Sequence, residues 1–274
     1  MTKIITTLGP SCWDEESIEL FITKGVRLFR INLSHSNIYE VKNLYQKIHN
    51  IATRLDSVVT VLLDLPGHKI RVKDFTNELL LKNQFKVLGK DIIVDIPGKV
   101  KPGMEIVIGD NEAKLVCIND KGLCRVTQSG TLRSNIGVSI LGFETIGLSN
   151  KDRNWLEEIR VNNVGDILIA SFVNSAKDII EIKKFSNKPI IAKIETLKGI
   201  NNLNDILEIC DGILIGRGDL MTQIPMEQLV IKQKEVINKA LYYNQPVIVA
   251  TELVGSMTNR PRPSRAEVSD VTNA

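Results

Sequence analysis

Seven runs rich in Ile and Val punctuate this chain: Lys3–Leu8, Val26–Leu33, Val58–Leu65, Asp166–Phe172, Pro189–Glu195, Gly212–Leu220 and Pro246–Glu252. They show little alternation of polar and apolar residues, the pattern of strands buried on both faces. Between most of them apolar residues recur at a helical period. Asp14–Lys24 ends at Gly25, a C-cap residue. Ser149 with Asp152 forms a capping-box pattern for a helix through Ile159, and Pro225 suits the first turn of a long helix reaching Tyr243. Strand–helix alternation of this kind specifies a parallel sheet. Seven repeats predict an α/β fold of the TIM-type (β/α) barrel architecture.

One segment breaks the rhythm. From Val72 to Gly142 no helical period persists, and short β-like runs (IIVDI, MEIVIG, AKLVCI, GLCRVT) alternate with Gly, Pro, Asn and Asp turns. The expected division is therefore a (β/α) barrel made of residues 1–71 and 143–274, and an inserted small all-β, β-barrel-like unit at 72–142. An insertion after a barrel strand's carboxyl end sits over the mouth, which makes this one a candidate lid. Without it roughly 200 residues remain, short of the ~250 of a complete barrel. The stretch after the seventh run, ending SRAEVSDVTNA, is helical in pattern, so the barrel is expected to be incomplete, with seven strands.

Composition narrows the function classes. A formal net charge of +3, with no Lys/Arg run longer than two, gives no nucleic-acid footprint. No stretch of 18 apolar residues and no export signal occur, so no membrane partner and a cytoplasmic location are expected. Cys12, Cys117, Cys124 and Cys210 lack metal-ligand spacing and read as reduced thiols. His35, His49 and His68 suggest no triad or metal cluster.

The polar residues of interest gather at strand ends. Glu195 in PIIAKIETLKG and Asp219 in GILIGRGDL follow apolar runs, where side chains project into an open crevice. Two carboxylates there make a hard-oxygen site for a divalent cation, most naturally Mg²⁺. Lys193 points to the same side of its strand as Glu195, because side chains alternate. Arg30, Asn32 and Ser34 share one face; Asp64 closes the third run, followed by a turn with Lys69 and Arg71; Thr251 ends the seventh. Gly216 and Gly218 let backbone N–H groups approach an anion. Cations, a metal site and small hydroxyls together are the inventory of phosphoryl transfer. Plainer readings stand beside these: Glu195 and Asp219 as strand-end caps, Lys193 snorkelling from a core, Arg30 as an ion-pair partner, Lys69 as a solvated turn residue, Thr251 as a structural strand end.

RINLSH, DLPGHKIR, AKIET, GRGDL, VATE and RPRPSRAE also resemble the signatures of the pyruvate kinase family, in the same order, from residue 2 to residue 274. The resemblance covers the chain but not that family's final barrel strand or its carboxyl-terminal domain. It implies phosphate transfer from phosphoenolpyruvate to ADP, giving pyruvate and ATP in glycolysis. By resemblance Glu195 and Asp219 are ligands of Mg²⁺, with Mn²⁺ as a substitute. Lys193 resembles the lysine that stabilises the transferring phosphoryl group and the enolate. Arg30 resembles a phosphate contact, Arg71 one near the nucleotide phosphates, and Gly218 and Asp219 substrate contacts. Thr251 resembles the threonine that helps a proton reach the enolate. Asn32, Ser34, Asp64 and the backbone of Leu65 match a K⁺ site. Leu65, Lys69 and Val72 follow the pattern of members that dispense with K⁺, the Lys69 ammonium supplying the charge, so K⁺ is not expected to be required.

The sequence departs from that family at several positions. Asn174 replaces a usual Arg, Ile136 a lid Lys, and His68 and Gln223 a usual Pro and Glu. Two further function classes therefore stay open: another Mg²⁺-dependent enolpyruvate or oxoacid enzyme (lyase or decarboxylase), and a catalytically degenerate binding or regulatory subunit. The open barrel edge calls for a partner, either a second copy in a homo-oligomer or a separate carboxyl-terminal chain.

Overall fold

A computed structural model describes residues 2–73, 77–96, 98–109, 111–142 and 148–274. The chain opens with β1 (Ile5–Leu8), α1 (Glu15–Thr23), β2 (Leu28–Asn32), α2 (Ile38–Arg54) and β3 (Thr60–Asp64). Short strands follow: β4 (Ile70–Arg71), β5 (Glu78–Leu80), β6 (Phe85–Val87), β7 (Glu105–Ile108), β8 (Ala113–Cys117), β9 (Leu123–Gln128), β10 (Gly130–Leu132) and β11 (Gly137–Ile140). Helix–strand alternation then resumes with α3 (Asn150–Asn162), β12 (Ile167–Ala170), α4 (Ala176–Lys183), β13 (Ile190–Ile194), α5 (Leu197–Asn201) and α6 (Leu203–Leu207). It ends with β14 (Gly212–Gly216), α7 (Arg217–Gln223), α8 (Met226–Tyr242), β15 (Val247–Ala250) and α9 (Arg265–Asn273).

The long strands form one parallel, seven-stranded sheet in the order β1-β2-β3-β12-β13-β14-β15, the layout of an α/β barrel. The inner strands β3, β12, β13 and β14 are buried on both faces, which explains why their runs lack polar alternation. Val61, Leu63, Leu168, Ala192 and Ile213 pack outward against the helices in the main core. The alternate positions, Leu62, Ile169, Ile191 and Leu214, form a second cluster on the inner face, flanked by Leu28 and Ile248. A period of two then decides the site: two residues past this apolar floor come Asp64, Ser171, Lys193 and Gly216. The sheet is open. Among the described residues β1 and β15 are its edges, and β15 is only half-buried along its length.

Between β3 and α3 the strands named above pair antiparallel, in a six-stranded sheet (β4-β11-β7-β8-β9-β6) and a two-stranded one (β10-β5) around their own core of Ile106, Leu115, Val126 and Ile140. Antiparallel pairing begins at Ile70, so Arg71 stands in a strand of this unit. The expected return to the barrel at residue 143 falls on residues 143–147, outside the described residues. Among the described residues no helix is long and apolar enough to cross a membrane.

One expected strand is two elements. Gly212–Leu220 extends only to Gly216, and Arg217 starts α7, so Asp219 lies in the first turn of a helix rather than past a strand end. The apolar run misled because Leu220 continues it in sequence while belonging to the helix's buried face.

Candidate active site

Glu195 follows β13 directly and is 1% exposed. Its Oε2 accepts the Phe172 N–H at 2.9 Å, and its Oε1 meets Lys193 Nζ at 2.9 Å. Gly216 on the neighbouring strand admits it: a Cβ there would fall 2.6 Å from Glu195 Cγ. Lys193 also faces Asp64 at 3.7 Å and the Ser171 hydroxyl at 3.5 Å. Asp64, buried at the end of β3, accepts from Arg30 Nε at 2.9 Å and from Arg30 Nη2, while Ser171 Oγ donates to its other oxygen at 3.1 Å. Arg30 Nη1 reaches Thr7 Oγ1 at 2.9 Å. Asp219 meets Lys69 Nζ at 2.9 Å, bridging α7 and the turn after β3.

Arg30, Lys193 and Lys69 are thus interlocked with Asp64, Glu195 and Asp219. Burial opposes the charge on Lys193, yet Glu195 and Asp64 hold its ammonium above the usual lysine range. Burial pushes the Glu195 carboxyl up to about 7, against the pull of Lys193 and with the added repulsion of Asp219.

The remaining expected residues are less convergent. Asn32 Oδ1 caps the turn Leu33–His35 by accepting the Ser34 N–H at 3.0 Å, and Ser34 itself is exposed. Leu65 is 2% exposed and its N–H donates to Ile169 O at 2.9 Å. Lys69 reaches Asp219, while Asp64 takes its positive partners from Arg30 and Lys193. Arg71 is engaged in the antiparallel unit, its Nη1 donating to Asn135 O at 2.9 Å. Thr251 is exposed and lies against Gly218, where a Cβ would meet its Cγ2 at 3.1 Å.

Beside this lattice a cavity of about 380 Å³ opens between β11 and the barrel mouth, lined by Val138 and Ile140 on one side and Lys69, Asn174, Asp219 and Gln223 on the other. Ile136 is buried in the antiparallel unit's core. Two members of the site escaped the sequence reading, Ser171 and Phe172. Ser171 was findable, two residues past Ile169 in the inward phase. Phe172 acts through a backbone N–H, in a left-handed conformation (φ 54°) that residue type does not announce.

Residues 1–274 match the family model described as pyruvate kinase, barrel domain. The chain is similar to the pyruvate kinase of Thermotoga maritima, 34% identical over 296 residues, covering 100% of this chain and 63% of that protein. It is similar likewise to the pyruvate kinase of Staphylococcus aureus strain MRSA252, 34% identical over 301 residues, covering 100% of this chain and 51% of that one. The chain spans between about half and just under two-thirds of the length of these curated relatives.

Proposed function

The chain belongs to the pyruvate kinase family, and from that premise we propose that it transfers phosphate from phosphoenolpyruvate to ADP, giving pyruvate and ATP in glycolysis, with Mg²⁺ held by Glu195 and Asp219. The observation that carries this is the ion lattice at the barrel mouth: Lys193 and Lys69 each sit 2.9 Å from one of the two carboxylates proposed as metal ligands. Each contact can be exchanged. Glu195 and Asp219 would hold a divalent cation, and Lys193, Lys69 and Arg30 would then be available to a phosphoryl group. The donor set fits a hard cation, since Glu195 and Asp219 offer carboxylate oxygen alone. Such a site suits a hard cation that keeps water and takes its other ligands from substrate. When bound, Mg²⁺ supplies Lewis-acid charge to the enolate and phosphoryl oxygens, and Mn²⁺ would do the same.

The chain's own residues do the rest. Lys193, kept charged by its neighbours, faces the phosphoryl oxygens and the enolate oxygen as negative charge shifts onto them. Arg30, which shares Asp64 Oδ2 with Lys193, binds the same phosphoryl group. The P–O bond to the enolate breaks as the bond to the terminal ADP oxygen forms, and the enolate then takes a proton at its methylene carbon. Thr251 hands that proton on through water. Gly218 and Asp219 border the substrate, and Arg71 on β4 lies on the side from which the nucleotide phosphates approach. The antiparallel unit serves as a lid that excludes water from the cavity under β11.

The test is pyruvate formation from phosphoenolpyruvate, ADP and Mg²⁺. Lys193→Met is expected to cut kcat by roughly 10²–10³-fold, the cost of one preorganised donor to developing negative charge. Turnover unchanged in that variant would sink the assignment. Rates in Na⁺ and K⁺ are expected to be equal, because Lys69, Arg30 and Lys193 already supply the positive charge around Asp219 and Asp64. Strong stimulation by K⁺ would return Asn32, Ser34, Asp64 and Leu65 to the role of an ion site.

A second reading has one observation in its favour. Ile136 is buried in the antiparallel core and Asn174, which lines the cavity, is uncharged, so the two positions where the family carries Lys and Arg bring no positive charge here. Enolpyruvate or oxoacid lyase chemistry without a nucleotide would suit that; ADP titration separates the two. The open sheet supports a homo-oligomer or a complementary chain as partner.

A further inference from the structure

Thr251 and Glu252 follow β15 in the left-handed backbone region, at φ 82° and 54°. For a β-branched residue this is an outlier that persists only where surrounding contacts impose it. The contact here is Arg217. Its Nε and Nη2 both donate to the Thr251 carbonyl, at 3.1 and 2.5 Å, while its Nη1 donates to Asp270 on α9 at 2.7 Å and faces Gln233 of α8 at 3.5 Å. The Arg217 side chain is only 8% exposed, so one buried guanidinium joins the start of α7 to the end of β15, to α8 and to α9. Its planar fork can send two donors to one oxygen and still keep a third for a carboxylate, which an ammonium cannot.

We propose that Arg217 is a positioning residue: by gripping the Thr251 carbonyl it fixes the direction of the Thr251 hydroxyl at the barrel mouth. Asp270, from the last helix, supplies the counter-charge that keeps the grip aligned. Gly218 leaves room for the Thr251 side chain, since a Cβ there would fall 3.1 Å from its Cγ2. Giving Thr251 a part in the reaction rests on the function proposed above; the grip itself rests on the geometry. Its consequence is that α9, far from Lys193 in sequence, tunes the site through a single ion pair.

The experiment uses the full chain with Arg217→Met, Arg217→Lys and Asp270→Asn, and reads two quantities: amide hydrogen exchange over residues 247–258, and kcat and KM for pyruvate formation. Arg217→Met is expected to raise exchange there about tenfold or more. It should lower kcat roughly 10²-fold, as misplacement of a reacting group by an ångström does, with KM within about threefold. Arg217→Lys should recover part of kcat, and Asp270→Asn should fall between. Exchange and kcat within twofold of the parent in both Arg217→Met and Asp270→Asn would overturn the proposal. So would a loss in which kcat tracks the melting temperature alone and Arg217→Lys gives no recovery. If Arg217→Met does not fold, Asp270→Asn decides by the same readouts. If the parent itself does not turn over, the proposed function fails, and exchange alone decides the grip.

Discussion

Gly216 shows how narrowly the site depends on single atoms. A methyl there would lie 2.6 Å from Glu195 Cγ and 3.0 Å from its Oε1, and Glu195 is pinned on its other side by the Phe172 N–H. Gly216→Ala must therefore push the carboxylate out of place. The expected result is a folded protein, destabilised by about 1–3 kcal/mol through overpacking, with Mg²⁺ affinity down about tenfold or more; urea unfolding and Mg²⁺ calorimetry measure the two. Unchanged Mg²⁺ binding would remove Glu195 from the metal site. At this scale the sequence announced residue types and their phase along a strand, so Lys193, Glu195 and Asp64 were legible. Partners were not. Lys69 and Asp219 are separated by 150 positions and Arg30 and Asp64 by 34, and nothing local encodes which charge meets which.

Helix ends carry the elements into place. Asp152 completes the capping box of α3, accepting the Ser149 N–H at 3.1 Å, and its other oxygen accepts the Gly67 N–H at 2.9 Å from the turn that bears Lys69. It is 3% exposed, so Asp152→Ala leaves the part-buried Gly67 and Ser149 donors without their partner and should cost about 1–3 kcal/mol. A thermal melt unchanged by that substitution would refute it. α9 is fastened differently. The Ser256 hydroxyl, the Ser256 N–H and the Ser264 N–H hold the Glu267 carboxyl down at about 2, below its usual 4.5. Because the folded form favours the ionised group, its stabilising effect is complete above pH ~4.5 and is lost as pH falls toward 2. Amide exchange in α9 should therefore rise across that window, and Glu267→Gln should flatten the pH dependence. The capping box of α3 was readable as Ser-x-x-Asp, whereas the Ser264–Glu267 box of α9 emerged with the structure. The break of the Gly212–Leu220 run into β14 and α7 was not, since apolar residues serve a strand and a buried helix face equally well.

At the scale of the molecule, the seven-stranded parallel sheet has β1 and β15 as its edges among the described residues, and an inner apolar face. Ile5, Leu28, Ile167, Ile248 and Ala250 border the inner cluster and are only partly buried. Exposed strand edges with apolar surface behind them favour association. Concentration-dependent self-association is therefore expected by light scattering at micromolar protein. A charge on the edge strand, Ile248→Glu, should reduce it without altering the proposed Mg²⁺ ligands Glu195 and Asp219. A monodisperse monomer at all concentrations would rule out the homo-oligomer.

What the sequence by itself determined follows from short-range periodicity. A period of two within strands and 3.6 within helices set the alternation of elements, the two buried faces of the sheet, and the inward phase that lines Asp64, Lys193 and Glu195 above an apolar floor. The tertiary structure alone decided how charges pair across that mouth, the left-handed backbone at Phe172 and Thr251, and the tie from Arg217 to Asp270. The physical reason is range. Propensity and side-chain phase act between neighbours along the chain, whereas a long charged side chain finds its partner across a sheet, where strand order and register set the distance.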